Sequence, residues 1–314
     1  MTADNSPAQA FTAFVGEAEP MPVDDAIHAR AEQLGPDSLI WKFYGDWRLQ
    51  LFGFQRIAGC QNSVDQLGQA VQDHSVVFTD TWGRAKRTAA GLMTALYDED
   101  ALTHAKRVRD FHRDVKGTVG DGSRYHAMNP ELYYWGHATF VDQILYITDT
   151  FIRRLSEQEK RQIFEESKIW YSMYGVSARN QPQTYEEFQR YFDSMVERFV
   201  PHPTIVYATG YLRKGVPGPA FVPKPIWKVL SAPLNAYLRT VVVGTMPPRM
   251  RENCRLPWSD RHQRNFERFT AGTRALNPVL NRLPVRVLYT PWAARAYRHA
   301  EVDPRKILNN PTES

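Results

Sequence analysis

The chain has 314 residues, 43% hydrophobic, 23% charged and 12% aromatic. That is enough apolar material for one large core or two ordinary ones, and it excludes wholesale disorder. The formal net charge of +5 is modest, and no run of lysine and arginine resembles a nucleic-acid arm. The two cysteines, Cys60 and Cys254, stand far apart and outside any CxxC pattern, which argues against a disulfide scaffold, a cysteine zinc site and an iron–sulfur cluster.

In chain order, residues 1–22 are small, polar and dotted with proline, and read as a loose arm. They lack a basic region followed by an apolar one, so no secretory signal is expected. From Ser38 to Ile57 apolar residues recur every three or four positions (Leu39, Ile40, Phe43, Trp47, Leu51, Phe54 and Ile57), which predicts one helix with that stripe facing a core. Helices over Thr81–Tyr97 and Leu102–Val115 follow, and Gly120-Asp121-Gly122 marks a turn. Asn129, Pro130 and Glu131 form a strong helix start, and the pattern runs to about Arg154. Ser156 and Thr184, each with acidic residues in the following turn, start two more. Further helical patterns cover 205–213, 225–243, 258–276 and 285–300. Strand signals are scarce, and the Pro/Gly-rich piece 216–225 reads as a loop within one domain. The expectation is an all-α fold: an arm over 1–22, a single large helical domain over 23–305 and a tail over 306–314. The two most apolar stretches, 132–152 and 226–243, carry charges or proline and do not read as membrane spans. A cytoplasmic protein with no transmembrane segment and no nucleic-acid partner is expected. Its oligomeric state is open.

Signatures for zinc proteases, serine hydrolases, dinucleotide or P-loop nucleotide binding and covalent haem attachment are absent. Three helical faces carry chemistry. Arg84, Arg87 and Thr88 share one face by spacing, which suits a carboxylate or phosphate partner, though spacing alone favours surface arginines lying over a core. Arg109, His112 and Lys116 place an imidazole between two cations, which would keep it neutral, the form a metal needs; an ordinary basic helix face gives the same pattern. His137 lies on the most apolar helix, four residues from Tyr133 and among Trp135, Phe140 and Tyr146, the aromatic residues that would wall a pocket if the resemblance set out below holds. A histidine there must be hydrogen-bonded, either to a neighbouring helix or in a functional role.

Five segments occur in a distinctive order: Asp73-His74-Ser75; Gly83-Arg84-Ala85-Lys86-Arg87-Thr88; His112-Arg113-Asp114-Val115-Lys116-Gly117; Tyr125-His126-Ala127-Met128-Asn129-Pro130-Glu131-Leu132; and Trp135-Gly136-His137-Ala138-Thr139-Phe140-Val141-Asp142. Leu256-Pro257-Trp258-Ser259 and Leu283-Pro284-Val285-Arg286 follow. Together, over roughly 36–300, they resemble the DUF2236 family, which contains the rubber oxygenase (latex clearing protein) catalytic domain and the mpaB-type oxygenases.

The resemblance implies globin-like helix packing around a b-type haem, and oxygen-dependent chemistry on a small or medium apolar substrate. In the rubber-cleaving branch an Arg-x-x-His-(x)3-Arg pattern holds the haem iron; Arg109, His112 and Lys116 stand at those positions. His112 is thereby implied as the metal ligand, with Arg84, Arg87, Arg109 and Lys116 as cationic partners of the haem propionates. The Arg-x-x-Lys-Thr motif of that branch reads Arg84-x-x-Arg87-Thr88, with arginine in place of lysine. His137 matches a His-Ala-Thr pattern of the broader family and is open between a catalytic distal residue, a second ligand and a structural role. With Arg87 and Thr88 it completes the candidate catalytic set. A counterpart of the rubber branch's pocket glutamate is missing, so cleavage of long-chain polyisoprene is not implied. The competing expectations are a non-catalytic haem carrier or sensor, and a haem-free ligand-binding protein on the same scaffold.

Overall fold

A computed structural model of the protein describes residues 31–307 except 180 and 220. The expected arm 1–22 and residues 308–314 of the expected tail lie outside the described residues. Over the described residues the fold is all-α and a single domain, with 69% of them in helices and 3% in strands. No helix among the described residues is long and apolar enough to cross a membrane.

The helix expected over 38–57 is two helices, α1 (Leu39–Tyr44) and α2 (Trp47–Asn62). The break follows from Gly45 and Asp46. A Cβ at Gly45 would collide with Ala293 and the Tyr97 hydroxyl. Asp46 starts α2 as its N-cap, accepting from the Arg48 amide. The break also redirects the apolar stripe: Leu39, Ile40 and Phe43 are buried, but Trp47, Leu51 and Phe54 are exposed, Leu51 by 69%. The start of α1 is capped from a distance by Glu166, whose carboxylate accepts from the Leu39 and Ile40 amides at 3.1 and 2.8 Å.

Helix α3 (Asp65–His74) was not visible in the periodicity, because it buries only Gly68. Helices α4 (Thr81–Tyr97) and α5 (Ala101–Asp110) pack against each other. α5 stops at Asp110, five residues short of expectation. The chain then turns into a two-stranded antiparallel hairpin, β1 (Lys116–Thr118) and β2 (Arg124–His126), in which Gly117 pairs with Tyr125. Gly117 is needed there, since a Cβ would meet the Tyr125 hydroxyl at 2.6 Å.

The central helix α6 (Pro130–Ile147) starts as expected: the Asn129 side chain accepts from the Glu131 and Leu132 amides. It continues into a π turn, Thr148–Ile152, so its last stretch is wider than an α-helix. α2 lies against α6, locked by a buried bidentate pair in which Arg56 donates to both Asp142 oxygens at 2.6 and 2.9 Å. The same guanidinium donates to the Thr245 carbonyl and stacks 3.9 Å over the Tyr146 ring.

Helix α7 (Glu157–Ser172) opens with a capping box between Ser156 and Glu159, and α8 (Tyr185–Glu197) with Thr184. Short helices α9 (Pro203–Ala208), α10 (Gly210–Lys214), α11 (Lys224–Leu230) and α12 (Ala232–Tyr237) follow. A second π turn, Leu238–Val242, leads to α13 (Val243–Thr245) and α14 (Pro248–Asn253). The long α15 (Asp260–Leu280) is followed by α16 (Val285–Leu288), α17 (Pro291–His299) and α18 (Pro304–Ile307). The core is strongly aromatic, with Trp135, Trp170, Tyr171, Phe151, Phe164 and Phe199 fully enclosed. Both cysteines are buried and free.

Candidate active site

Where α5 ends, α4, α5, α6 and α7 converge. Because α5 stops at Asp110, His112 sits in the turn beyond its end rather than on a helix face. Its Nδ1 lies 2.8 Å from the carbonyl oxygen of Val108. A carbonyl only accepts, so Nδ1 carries the proton and Nε2 keeps its lone pair. No hydrogen bond engages Nε2 among the described residues. Burial lowers the His112 pKa below the usual imidazole value; the Val108 carbonyl opposes this, and the Arg84 guanidinium adds to it. The ring is neutral at pH 7, and its edge meets the Tyr133 ring with centroids 5.6 Å apart.

The cation beside His112 therefore comes from α4, through Arg84, and not from the expected partners along its own segment. Arg84 is partly buried, and desolvation lowers its pKa. Among the described residues it has no acidic partner. Arg109 is fully enclosed. It donates to Asp110 and to the Tyr174 carbonyl, on the side of Tyr133. Lys116 lies on β1 and is exposed, its charge next to His126. The expected single face of Arg109, His112 and Lys116 is corrected accordingly: the helix that would have aligned them ends too early. Arg87 and Thr88 share α4 with Arg84 but are exposed, and Arg87 pairs with Asp80, the N-cap of that helix, at 3.2 Å.

His137 is buried on α6 inside a cage of Tyr134, Trp170, Tyr171 and Tyr174, with ring centroids 5.1–6.2 Å away. Its Nε2 lies 3.0 Å from the Ser167 carbonyl, so this nitrogen donates. Nδ1 is buried without a hydrogen-bond partner among the described residues. Burial pushes the pKa down to about 3, with the Ser167 carbonyl opposing it only in part. Tyr133 and Tyr174, whose centroids are 5.7 Å apart, connect the surroundings of His112 and His137. Of the expected walls, Tyr133 borders His112, Phe140 packs on Trp170, and Trp135 belongs to the core beside Phe192. Tyr146 lies under Arg56 and away from either histidine's ring contacts. Trp170, Tyr171 and Tyr174 were missed. Their only sequence signal was aromatic density at the end of α7.

Among the described residues the site thus offers a neutral imidazole whose Nε2 has no hydrogen bond, a cation without an acidic partner acting on it, and an aromatic wall. Among the described residues no three or more His, Cys, Asp or Glu side chains cluster as a metal cage. A porphyrin iron takes most of its donors from its macrocycle, so the single imidazole donor at His112 would suffice to hold a haem.

The family model described as ER-bound oxygenase mpaB/B'/rubber oxygenase, catalytic domain, matches residues 41–275. The chain is also similar to the uncharacterized proteins Rv2237 of Mycobacterium tuberculosis and Mb2261 of Mycobacterium bovis. Each is 25% identical over 217 residues, covering 66% of this chain and 80% of theirs. No solved structure matches the chain.

Proposed function

The chain belongs to the family of the mpaB and rubber oxygenase catalytic domains, and on that premise we propose that it is a haem b-dependent oxygenase acting on a small or medium apolar molecule. The observation that carries this reading is the His112 ring, whose Nδ1 lies 2.8 Å from the Val108 carbonyl oxygen and whose Nε2 has no hydrogen bond among the described residues. A neutral imidazole with its tautomer fixed stands beside a partly desolvated guanidinium that has no acidic partner among the described residues.

In this reading His112 Nε2 holds the iron, and the Val108 carbonyl orients the ring and raises its basicity. Arg84 receives a propionate, in the charge-assisted pairing its desolvated state lacks. When bound, the haem supplies the activation of dioxygen, which no side chain of this protein performs alone. The tyrosines around His112 and His137 exclude water and present an apolar wall to substrate. His137, uncharged at neutral pH, has no proton to give as an acid. It contributes a fixed, neutral acceptor at Nδ1. Arg87 and Thr88 are directed to solvent and take no part in holding the cofactor.

The test is spectroscopic. Protein produced with ample iron and haem precursor should show a Soret band and one non-covalent haem per chain, and should consume oxygen with an apolar substrate. A charge-assisted bond contributes about 1.5–3 kcal/mol, so Arg84→Gln should lose haem to apomyoglobin about tenfold faster than wild type. Protein without a Soret band under those conditions overturns the proposal. A Soret band without oxygen uptake overturns the oxygenase part alone.

A further inference from the structure

Helices α11 and α12 expose the face that a helix of a globular domain normally hides. Trp227, Ser231 and Asn235, spaced i, i+4, i+8, tie the pair to the preceding loop at Val216 and to each other. Trp227 Nε1 donates to the Val216 carbonyl at 2.7 Å, and Asn235 Oδ1 accepts from the Val216 amide at 2.9 Å. Asn235 Nδ2 donates to Ser231 Oγ at 3.0 Å. The other face carries Ile226, Val229, Leu230 and Leu234, at i, i+3, i+4 and i+8, and all four are exposed. Val229 is 73% and Leu230 63% exposed, and Phe221, just before α11, 86%. Polar anchors inward and an aliphatic ridge outward invert the usual amphipathic order. Contiguous apolar exposure of this kind marks a contact surface.

The charge on the segment says what contacts it. From 213 to 239 the chain carries Arg213, Lys214, Lys224, Lys228 and Arg239 and no acidic residue. The acid-free stretch around it lies between Glu197 and Glu252. A second copy of the chain meeting this face symmetrically would set these cations against one another with no acid in the segment to pair them. A surface of uniform negative charge with an apolar interior meets both properties.

We propose that the exposed ridge of α11 and α12, with Phe221, docks the protein on the surface of an anionic lipid bilayer, inserting its aliphatic side chains at headgroup depth while the flanking lysines and arginines meet the lipid phosphates. This is attachment in the plane of the interface and needs no membrane-spanning helix. It rests on the α11–α12 surface alone and stands whether or not the chain binds haem.

The experiment is vesicle co-sedimentation of the full chain. One set of vesicles is equal parts phosphatidylcholine and phosphatidylserine, the other phosphatidylcholine alone. Wild type should bind the anionic vesicles, release in high salt, and bind phosphatidylcholine weakly. Each basic residue near a charged surface contributes enough for K224E/K228E to weaken binding about tenfold or more. V229D/L230D should abolish it. Both variants change exposed side chains and should keep the wild-type circular dichroism and melting temperature. L51D, on the exposed stripe of α2, should bind as wild type does. The proposal is overturned by wild type that ignores anionic vesicles, by undiminished binding of V229D/L230D, or by loss of binding in L51D alone. It is equally overturned by a dimer that V229D/L230D splits while vesicle binding is absent, since a second copy then covers the ridge.

Discussion

His112 and His137 are both neutral, for different reasons and with different consequences. At His112 a carbonyl of its own chain segment fixes the proton on Nδ1, and Arg84 opposes any further charge. At His137 the driving cause is burial among aromatic rings. The sign of its pH effect follows. With a folded pKa of about 3 and an unfolded value near 6.5, the unfolded state alone binds the proton between those limits. Stability contributed by the neutral ring is therefore fully present above about pH 6.5 and falls as the pH drops toward 3. One proton corresponds to about 1.4 kcal/mol per pH unit. His137→Gln should be less stable at pH 7 but should lose less stability than wild type between pH 6.5 and 5, as read from urea midpoints. Parallel pH dependences of the two proteins would contradict the buried neutral state. At this scale the sequence showed that His137 needed a hydrogen-bond partner. It did not show that the cation beside His112 would come from α4, because that contact joins residues far apart in the chain.

The elements were legible where local chemistry sets them. Asn129-Pro130-Glu131, Ser156 with Glu159, and Thr184 with Glu187 mark helix starts that the structure reproduces, since each cap satisfies amides within a few residues of itself. They were illegible where a distant partner decides. The break at Gly45 is forced by α17 and by Tyr97 of α4. The early end of α5 makes room for a hairpin whose three-residue strands are too short for a periodic signal. The Arg56–Asp142 ion pair joins α2 to α6. Removing one partner leaves a buried charge uncompensated, which costs about 3–5 kcal/mol. Asp142→Ala should show that loss in urea unfolding, without changing the surroundings of His112. A loss below 1 kcal/mol, on the order of an exposed pair, would mean that α2 is held to α6 by apolar packing alone.

Over the described residues the molecule is an all-α single domain, and helical periodicity and capping residues made that much readable in the sequence. Periodicity says which side chains share a face, however, and not which way the face points. Trp47, Leu51 and Phe54 read as core and are exposed; the ridge of α11 and α12 is a second case. The candidate site was partly readable in the same way. His112 and Arg84 were both singled out, and in the fold the Arg84 charge acts on the His112 ring. Arg87, Thr88 and Lys116 matched by spacing and are exposed, Arg87 in a pair with Asp80. The central claim is that His112, and not His137, holds a haem. Pyridine haemochrome analysis of three proteins prepared in parallel tests it most directly. Wild type should carry one haem per chain, His112→Ala little or none, and His137→Ala an amount close to wild type with an altered spectrum or activity. Haem retained with a normal spectrum in His112→Ala and lost in His137→Ala would contradict the account and exchange the two roles.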